Sequence, residues 1–241
     1  MLNSVSESLI SPLVYSVPPE PLGLFNPEKP QSFEVAPRAT LTCHRGLKLW
    51  NIFSCSENTT LTSKVARFIR QKYFLAHGAR LSQLMKNLYA LQEKDGTLLG
   101  AVGLDSFSDE PRLVECYFKK PAEAYLSDHL GETVRRDQIM EAGNLAATNL
   151  TGAILLTAFL TNEADRQQKS WALFTATAAV RAALKRIGIP YQSLLKATLN
   201  CVGNQYGNWG SYYQQDPEVV LVNVGESMAA VGRKYDIARL R

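Results

Sequence analysis

The chain has 241 residues, 46% of them apolar and 20% charged, with a net charge of +4. That length allows one large domain or one domain with appendages, and so mild a charge excludes an electrostatic case for nucleic-acid binding while leaving room for a local basic patch facing an acidic partner. Cys43, Cys55, Cys116 and Cys201 form no C-x-x-C pair and His44, His77 and His129 are scattered, which argues against a metal site and for reduced cytosolic thiols.

The N-terminus has no charged region followed by an apolar core, so no secretory signal is expected. Seven of the eleven prolines lie in the first 37 residues, and "SVPPEPLGLFNPEKP" is incompatible with a helix or a central strand. Residues 1–44 therefore read as a proline-rich arm, and residues 45–241 as the domain proper. Leu22, Leu24, Phe25 and Phe33 would let the arm pack on a surface; a loosely ordered tail is the alternative.

"LKLWNIFSC" (Leu47–Cys55) predicts a strand. Leu61–Ala76 predicts a helix, with Val65, Phe68, Ile69 and Tyr73 at helical spacing and Gly78 just past its end. "NLYALQEKDGTLLGAVGL" predicts a hairpin turning at Asp95-Gly96, Leu113–Phe118 a short strand, and "AEAYLSDHL" after Pro121 a short helix. Next come strand Gln138–Ala146, helix Gly152–Gln168, strand "WALFTAT" (Trp171–Thr177) and helix Ala178–Ile187, closed by Gly188 and Pro190. This β-α-β-α order requires a parallel pair of strands, and an antiparallel front half then implies a mixed α/β (α+β) sheet. Val219–Val224 predicts a last strand, with a weak helix over the basic tail. The longest apolar run, "AILLTAFL" (Ala153–Leu160), falls far short of the ~20 residues of a membrane span, so the expectation is a cytoplasmic protein with no transmembrane segment.

Glu141 sits inside the apolar strand "QIMEAGNLAA". An unpaired buried carboxylate costs several kcal/mol, so such a group is paired, protonated or useful. In a regular strand Glu141 and Asn144 point to opposite faces; a bulge at Gly143 would turn both to one side. Together they would accept a proton from an amine and orient a bound group. The structural alternative is an ion pair of Glu141 with Arg135 or Arg136. After this strand, Asn149, Thr151 and Gly152 stand at a helix N-terminus, which suits a phosphate and equally suits plain capping. Thr175 and Thr177 end a parallel strand, where they would bind substrate or cap the next helix. Arg181, Lys185 and Arg186 form a basic cluster that would meet an acidic carrier or simply face solvent. "WGSYYQQDP" gathers Trp209, Ser211, Tyr212, Tyr213 and Asp216, a composition suited to an apolar pocket with polar handles or to a core plug. No serine lies in a G-x-S-x-G elbow, so hydrolase chemistry has no support.

"IMEAGNLAA", "WALFTATAAVRAALKRIGIP" and "WGSYYQQDPEVV" together resemble the thermostable hemolysins, over about residues 55 to 225. That family is similar to the acyl-homoserine-lactone synthases and the wider N-acetyltransferase-like superfamily. The resemblance implies a mixed, mostly antiparallel central sheet with a splayed acetyltransferase-like βαβ core flanked by helices. It also implies transfer of an acyl group from a thioester, carried by CoA or an acidic acyl carrier protein, to a small amine acceptor, with no permanently bound cofactor. Glu141, Asn144 and Thr175 would be the catalytic group. Leu145, Ala146, Asn149, Thr151, Gly152, Arg181 and Lys185 would hold the donor, and Thr177, Trp209, Ser211, Tyr212, Tyr213 and Asp216 the substrate pocket. The glycine-rich pyrophosphate loop of acetyl-CoA enzymes is missing after Ala147, which leans towards a carrier-bound or modified donor. Two other classes remain open: a membrane-active or lipid-binding protein, as the family name implies, and a degenerate fold kept as a binding module.

Overall fold

The computed structural model describes residues 37–43, 49–56, 58–108, 110–202, 207–232 and 235–239. The expectation for the proline-rich arm up to residue 36 lies outside the described residues. The strands are β1 (Ala39–Cys43), β2 (Leu49–Ser54), β3 (Arg80–Leu81), β4 (Leu88–Gln92), β5 (Leu98–Ser106), β6 (Ile139–Ala147), β7 (Trp171–Ala176), β8 (Gln192–Lys196), β9 (Gly207–Asn208), β10 (Glu218–Asn223) and β11 (Tyr235–Arg239). The helices are α1 (Thr59–His77), α2 (Glu115–Phe118), α3 (Ala122–Leu130), α4 (Leu150–Arg166), α5 (Ala178–Ile187), α6 (Leu199–Val202) and α7 (Val224–Gly232). Nine strands form one sheet in the order β11-β1-β2-β4-β5-β6-β7-β10-β8, and β3 pairs with β9 in a separate ribbon. Within the nine-stranded sheet only β6 and β7 run parallel, joined by the crossover through α4. The mixed, mostly antiparallel sheet expected from the sequence is therefore the observed one.

Both faces of the sheet are covered, which is why its middle strands are largely apolar. One face packs against α1, α2 and α3 through Val65, Ile69, Tyr117 and Leu126. The other packs against α4 through Leu155, Leu156 and Phe159, with α5 and α7 beside it. α1 forms as predicted: Asn58 caps its first turn by accepting the Leu61 N–H at 2.9 Å, and Gly78 ends it at φ +66°, a left-handed value glycine takes without strain. The 113–118 segment is a correction: Leu113 and Val114 lie in a turn, and α2 follows instead of a strand. Glu115 explains it, since its carboxylate accepts the N–H groups of Arg112 and Ala122 and so folds the chain back on itself. The tail carries the expected helix, α7, but ends in β11, which pairs with β1. A run as short as "YDIAR" gives no decisive period.

Two departures from regular pairing shape the middle of the sheet. The parallel register of β6 and β7 runs from Ile139–Trp171 to Glu141–Leu173 and stops there, so the strands part beyond Glu141. Between β5 and β6 the register jumps from Gly103–Gly143 to Ala101–Ala146, so Val102 faces both Asn144 and Leu145. This is a β-bulge, with Asn144 as its left-handed residue at φ +51°, a conformation asparagine tolerates better than most residues. The bulge thus falls one residue after the position expected for it. Gly143 has another task. It lies opposite Gly103, and a Cβ on either would stand 2.6–2.8 Å from atoms of Met85. The two glycines form a flat bed for that side chain.

Gly103→Ala tests the bed, because the added methyl would meet the Met85 Cβ at 2.6 Å. Overpacking of this kind costs about 1–3 kcal/mol. Chemical denaturation should show a loss of that order; an unchanged midpoint would mean that Met85 moves freely.

Candidate active site

The bulge decides which side chains meet. Ile139 and Ala146 pack into the same core layer although they are an odd number of residues apart, while Met140, Ala142 and Leu145 pack into the opposite one. The added residue brings Asn144 onto the Glu141 face, and both line one cavity. The Asn144 Oδ1 accepts the backbone N–H of Met85 at 2.8 Å, which ties the loop before β4 to the bulge.

Glu141 is 8% exposed and has no ion-pair partner among the described residues. The Arg135 and Arg136 alternative fails, because Arg135 pairs with Asp137 while Arg136 pairs with Glu115 and Glu123. The Glu141 Oε1 accepts the Val114 N–H at 3.1 Å. Asp105, opposite it on β5, is far better supplied. It accepts the N–H groups of Lys86 and Asn87, the Asn87 amide and the Arg112 guanidinium. Burial is the main influence on Glu141 and pushes its pKa up to about 7; the Val114 N–H and the charge of Arg112 oppose it, and Asp105 and Glu115 reinforce it. A carboxyl poised near neutrality can take or give a proton at physiological pH.

Two cavities meet here. The first has a volume of about 140 Å³ and is largely apolar, running from the gap between β6 and β7 towards α4 past Leu104, Leu160, Ala164 and Ala172. The second, about 260 Å³, lies on the α1–α2 side and holds Glu141, Asp105, Arg112 and Lys86. Tyr73, Ala142, Gly143, Asn144, Thr175 and Tyr212 border both. Beyond Glu141 the β7-facing backbone of β6 has no strand partner, which leaves hydrogen-bonding groups at the junction. An aromatic wall closes the polar cavity. Tyr212 is buried and stacks on Tyr73 at 6.2 Å between centroids, and the Tyr213 hydroxyl bonds that of Tyr117 at 2.7 Å. The Trp209 indole N–H is buried without a partner.

Of the residues singled out in the sequence, Glu141, Asn144, Thr175, Leu145, Ala146, Thr177, Trp209, Tyr212 and Tyr213 line these cavities. The others do not. Asn149 caps α4 by accepting the Gly152 N–H at 2.9 Å, so that donor is already used, and Thr151 is exposed beside it. Thr177 caps α5 as well as lining the apolar cavity. Arg181 is held by the carbonyls of Ala176 and Asp216 and by the carboxylates of Asp216 and Glu218, so it is not a free docking charge. Asp216 also pairs with Lys196, Lys185 faces solvent, and Ser211 bonds the His77 carbonyl. Sequence reasoning missed Asp105, Arg112, Met85, Tyr73 and His77. Asp105 carried the same signal as Glu141, a carboxylate in an apolar strand; the rest reach the site from separate elements.

A model of the thermostable hemolysin family matches residues 55–228. The chain belongs to the thermostable hemolysin family. No curated protein matches it by sequence. Its fold is shared with the AHL synthase LasI, at 12% identity and a TM-score of 0.52, over 77% of this chain and 94% of that one. It is also shared with FeeM, an N-acyl amino acid synthase from uncultured soil microbes, at 13% identity and a TM-score of 0.50, over 76% of this chain and 96% of that one. A third is BjaI, a CoA-dependent acyl-homoserine lactone synthase solved with SAM and isopentyl-CoA, at 12% identity and a TM-score of 0.50, over 81% and 88%. At such identities the likeness establishes the fold of this family member and leaves its chemistry to its own residues.

The raised pKa of Glu141 has a stability consequence. A carboxyl whose folded pKa exceeds its ordinary 4.5 contributes stability that is full below 4.5 and is lost as pH rises through about 7. Glu141→Gln keeps an acceptor for Val114 and removes the titration. The variant should melt above wild type at pH 8, with the gap closing towards pH 4.5, as thermal melts at several pH values would record. A variant that is less stable at every pH would contradict this placement of the charge.

Proposed function

We propose that this protein is an N-acyltransferase that moves an acyl group from a thioester to a small amine. One observation carries the reading: an apolar cavity and a carboxyl-bearing cavity meet where β6 parts from β7. An acyl chain suits the apolar side and an amine the polar side, so the junction would hold the reacting carbonyl. Such placement of two reactants is itself a large part of catalysis.

The steps balance without a cofactor. Glu141 takes a proton from the ammonium form of the acceptor, directly or through water, and the freed amine attacks the thioester carbonyl. Backbone N–H groups of the bulge at Asn144 and Leu145 stabilise the oxyanion. Collapse breaks the C–S bond and forms the amide; the second proton lost by the nitrogen passes to the leaving thiolate, and Glu141 returns the first to solvent. Asn144 and Thr175 position the reactants, and Trp209, Tyr212 and Tyr213 wall the acceptor. The donor is a thioester of CoA or of an acidic acyl carrier protein, with Leu145 and Ala146 along its path. The free thiols Cys55, Cys116 and Cys201 fit a cytoplasmic site of action. No helix among the described residues is long and apolar enough to cross a membrane. The lipid-binding alternative draws on three exposed apolar side chains, Phe74, Leu75 and Leu199.

Thiol release on mixing acyl thioesters with an amine panel tests the reading. Turnover should rise with pH through about 7 as Glu141 ionises. Glu141→Gln should lose at least about 100-fold in turnover, together with that limb of the profile. Unchanged turnover would remove Glu141 from the mechanism, and leakage of liposomes without any thioester would favour the lipid-binding class. A second test addresses the donor side: Ala172→Leu narrows the apolar cavity and should shift preference towards shorter acyl chains in competition assays. Unaltered preference would place the chain elsewhere.

A further inference from the structure

Residues 58–92 contain six Lys and Arg residues and no Asp or Glu, a local excess larger than the whole chain's net charge of +4. Lys86 is spent on Glu110, at 2.7 Å. Lys64, Arg67, Arg70, Lys72 and Arg80 have no ion-pair partner among the described residues. Four of these five lie on α1. Arg67, Arg70 and Phe74 follow one another at helical spacing and, with Arg80, line an open groove of about 910 Å³. The Arg70 guanidinium bonds the carbonyls of Leu81 and Ser82, neutral acceptors that fix its position without cancelling its charge. Arg80 lies over the ring of Phe74 at 5.8 Å.

The same helix end carries apolar surface. Phe74 is 49% exposed and Leu75 48%, unusual for side chains of their size. Leu75, Ala76 and His77 border the apolar cavity beside β6, whereas Phe74 belongs to the basic groove. Arg67 and Leu75 are eight residues apart, which is about 12 Å along a helix. Cations around an apolar anchor, one short step from the cleft mouth, match an acidic protein whose cargo must enter that cleft.

The structure assigns this face of α1, with Arg80, as the docking surface for an acidic acyl carrier protein. The assignment rests on the acyltransferase reading and extends it by naming the carrier-borne thioester as the donor. It also moves the docking charge from the α5 cluster, where Arg181 is internally paired, to the other side of the sheet. Free CoA would need only the cleft; a carrier protein needs the basic apron next to it.

The test uses the full chain, octanoyl-loaded acyl carrier protein, octanoyl-CoA and vesicles containing anionic phosphatidylglycerol. Arg67→Glu combined with Arg80→Glu reverses two exposed charges that anchor nothing inside the fold; the corresponding double alanine variant gives a milder step. Wild type should bind the carrier with an affinity that falls steeply as salt rises. The double reversal should weaken carrier binding at least 10-fold, the double alanine less, and neither should alter octanoyl-CoA binding. Equal carrier binding by wild type and both variants would overturn the docking surface and leave the acyltransferase reading standing. Loss of vesicle binding in the variants, with no carrier bound by wild type, would overturn it in favour of a lipid surface. Failure of wild type to bind either thioester would take down the acyltransferase reading, and the docking assignment with it.

Discussion

The bond between the Asn144 side chain and the Met85 N–H holds the centre of this molecule in place. A left-handed residue in the middle of a strand is costly unless its surroundings hold it, and here they do so from both sides. The side chain is fastened to a loop that Asp105 also fastens, and the strand beyond Glu141 is released from β7. Every property of the cleft follows. The strands part, so a gap opens through the sheet. The bulge resets which side chains face α1 and which face α4, so Glu141 and Asn144 share a cavity. The glycine bed beneath Met85 lets the clamping loop lie close enough to form its bond.

Electrostatics then separate two neighbouring carboxylates. Asp105 gathers donors from backbone, amide and guanidinium, whereas Glu141, among the described residues, accepts a backbone N–H alone and is buried. The first carboxylate organises the loop. The second remains responsive to pH, at a cost in stability that a purely structural residue would not carry. Its companions in the cleft divide by polarity, with aliphatic side chains towards α4 and charged or aromatic ones towards α2.

Much of this was legible in the chain. Apolar periodicity and the glycine and proline stops outlined α1, the β4–β5 hairpin and the β6-α4-β7-α5 unit, because those elements are long and locally consistent. Glu141 announced itself as a charge in an apolar strand. Other features depend on tertiary contacts that local pattern does not encode. Glu115 turns the chain into α2 through partners on both sides of it, and β11 exists because β1 offers it an edge. Arg181 looked like a docking cation and is neutralised by Asp216 and Glu218, which lie far along the chain. The basic run on α1 was not singled out in the sequence, because only the fold sets it beside the cleft.

The most direct measurement is a structure of the full chain with a non-hydrolysable acyl-pantetheine thioether bound. The acyl tail should enter between β6 and β7 and run towards Leu160 and Ala172. The carbonyl should lie within hydrogen-bonding distance of the backbone at Asn144 and Leu145, on the open side of Glu141. A tail lying outside the sheet, against Phe74 and Leu75 with the cleft empty, would contradict it.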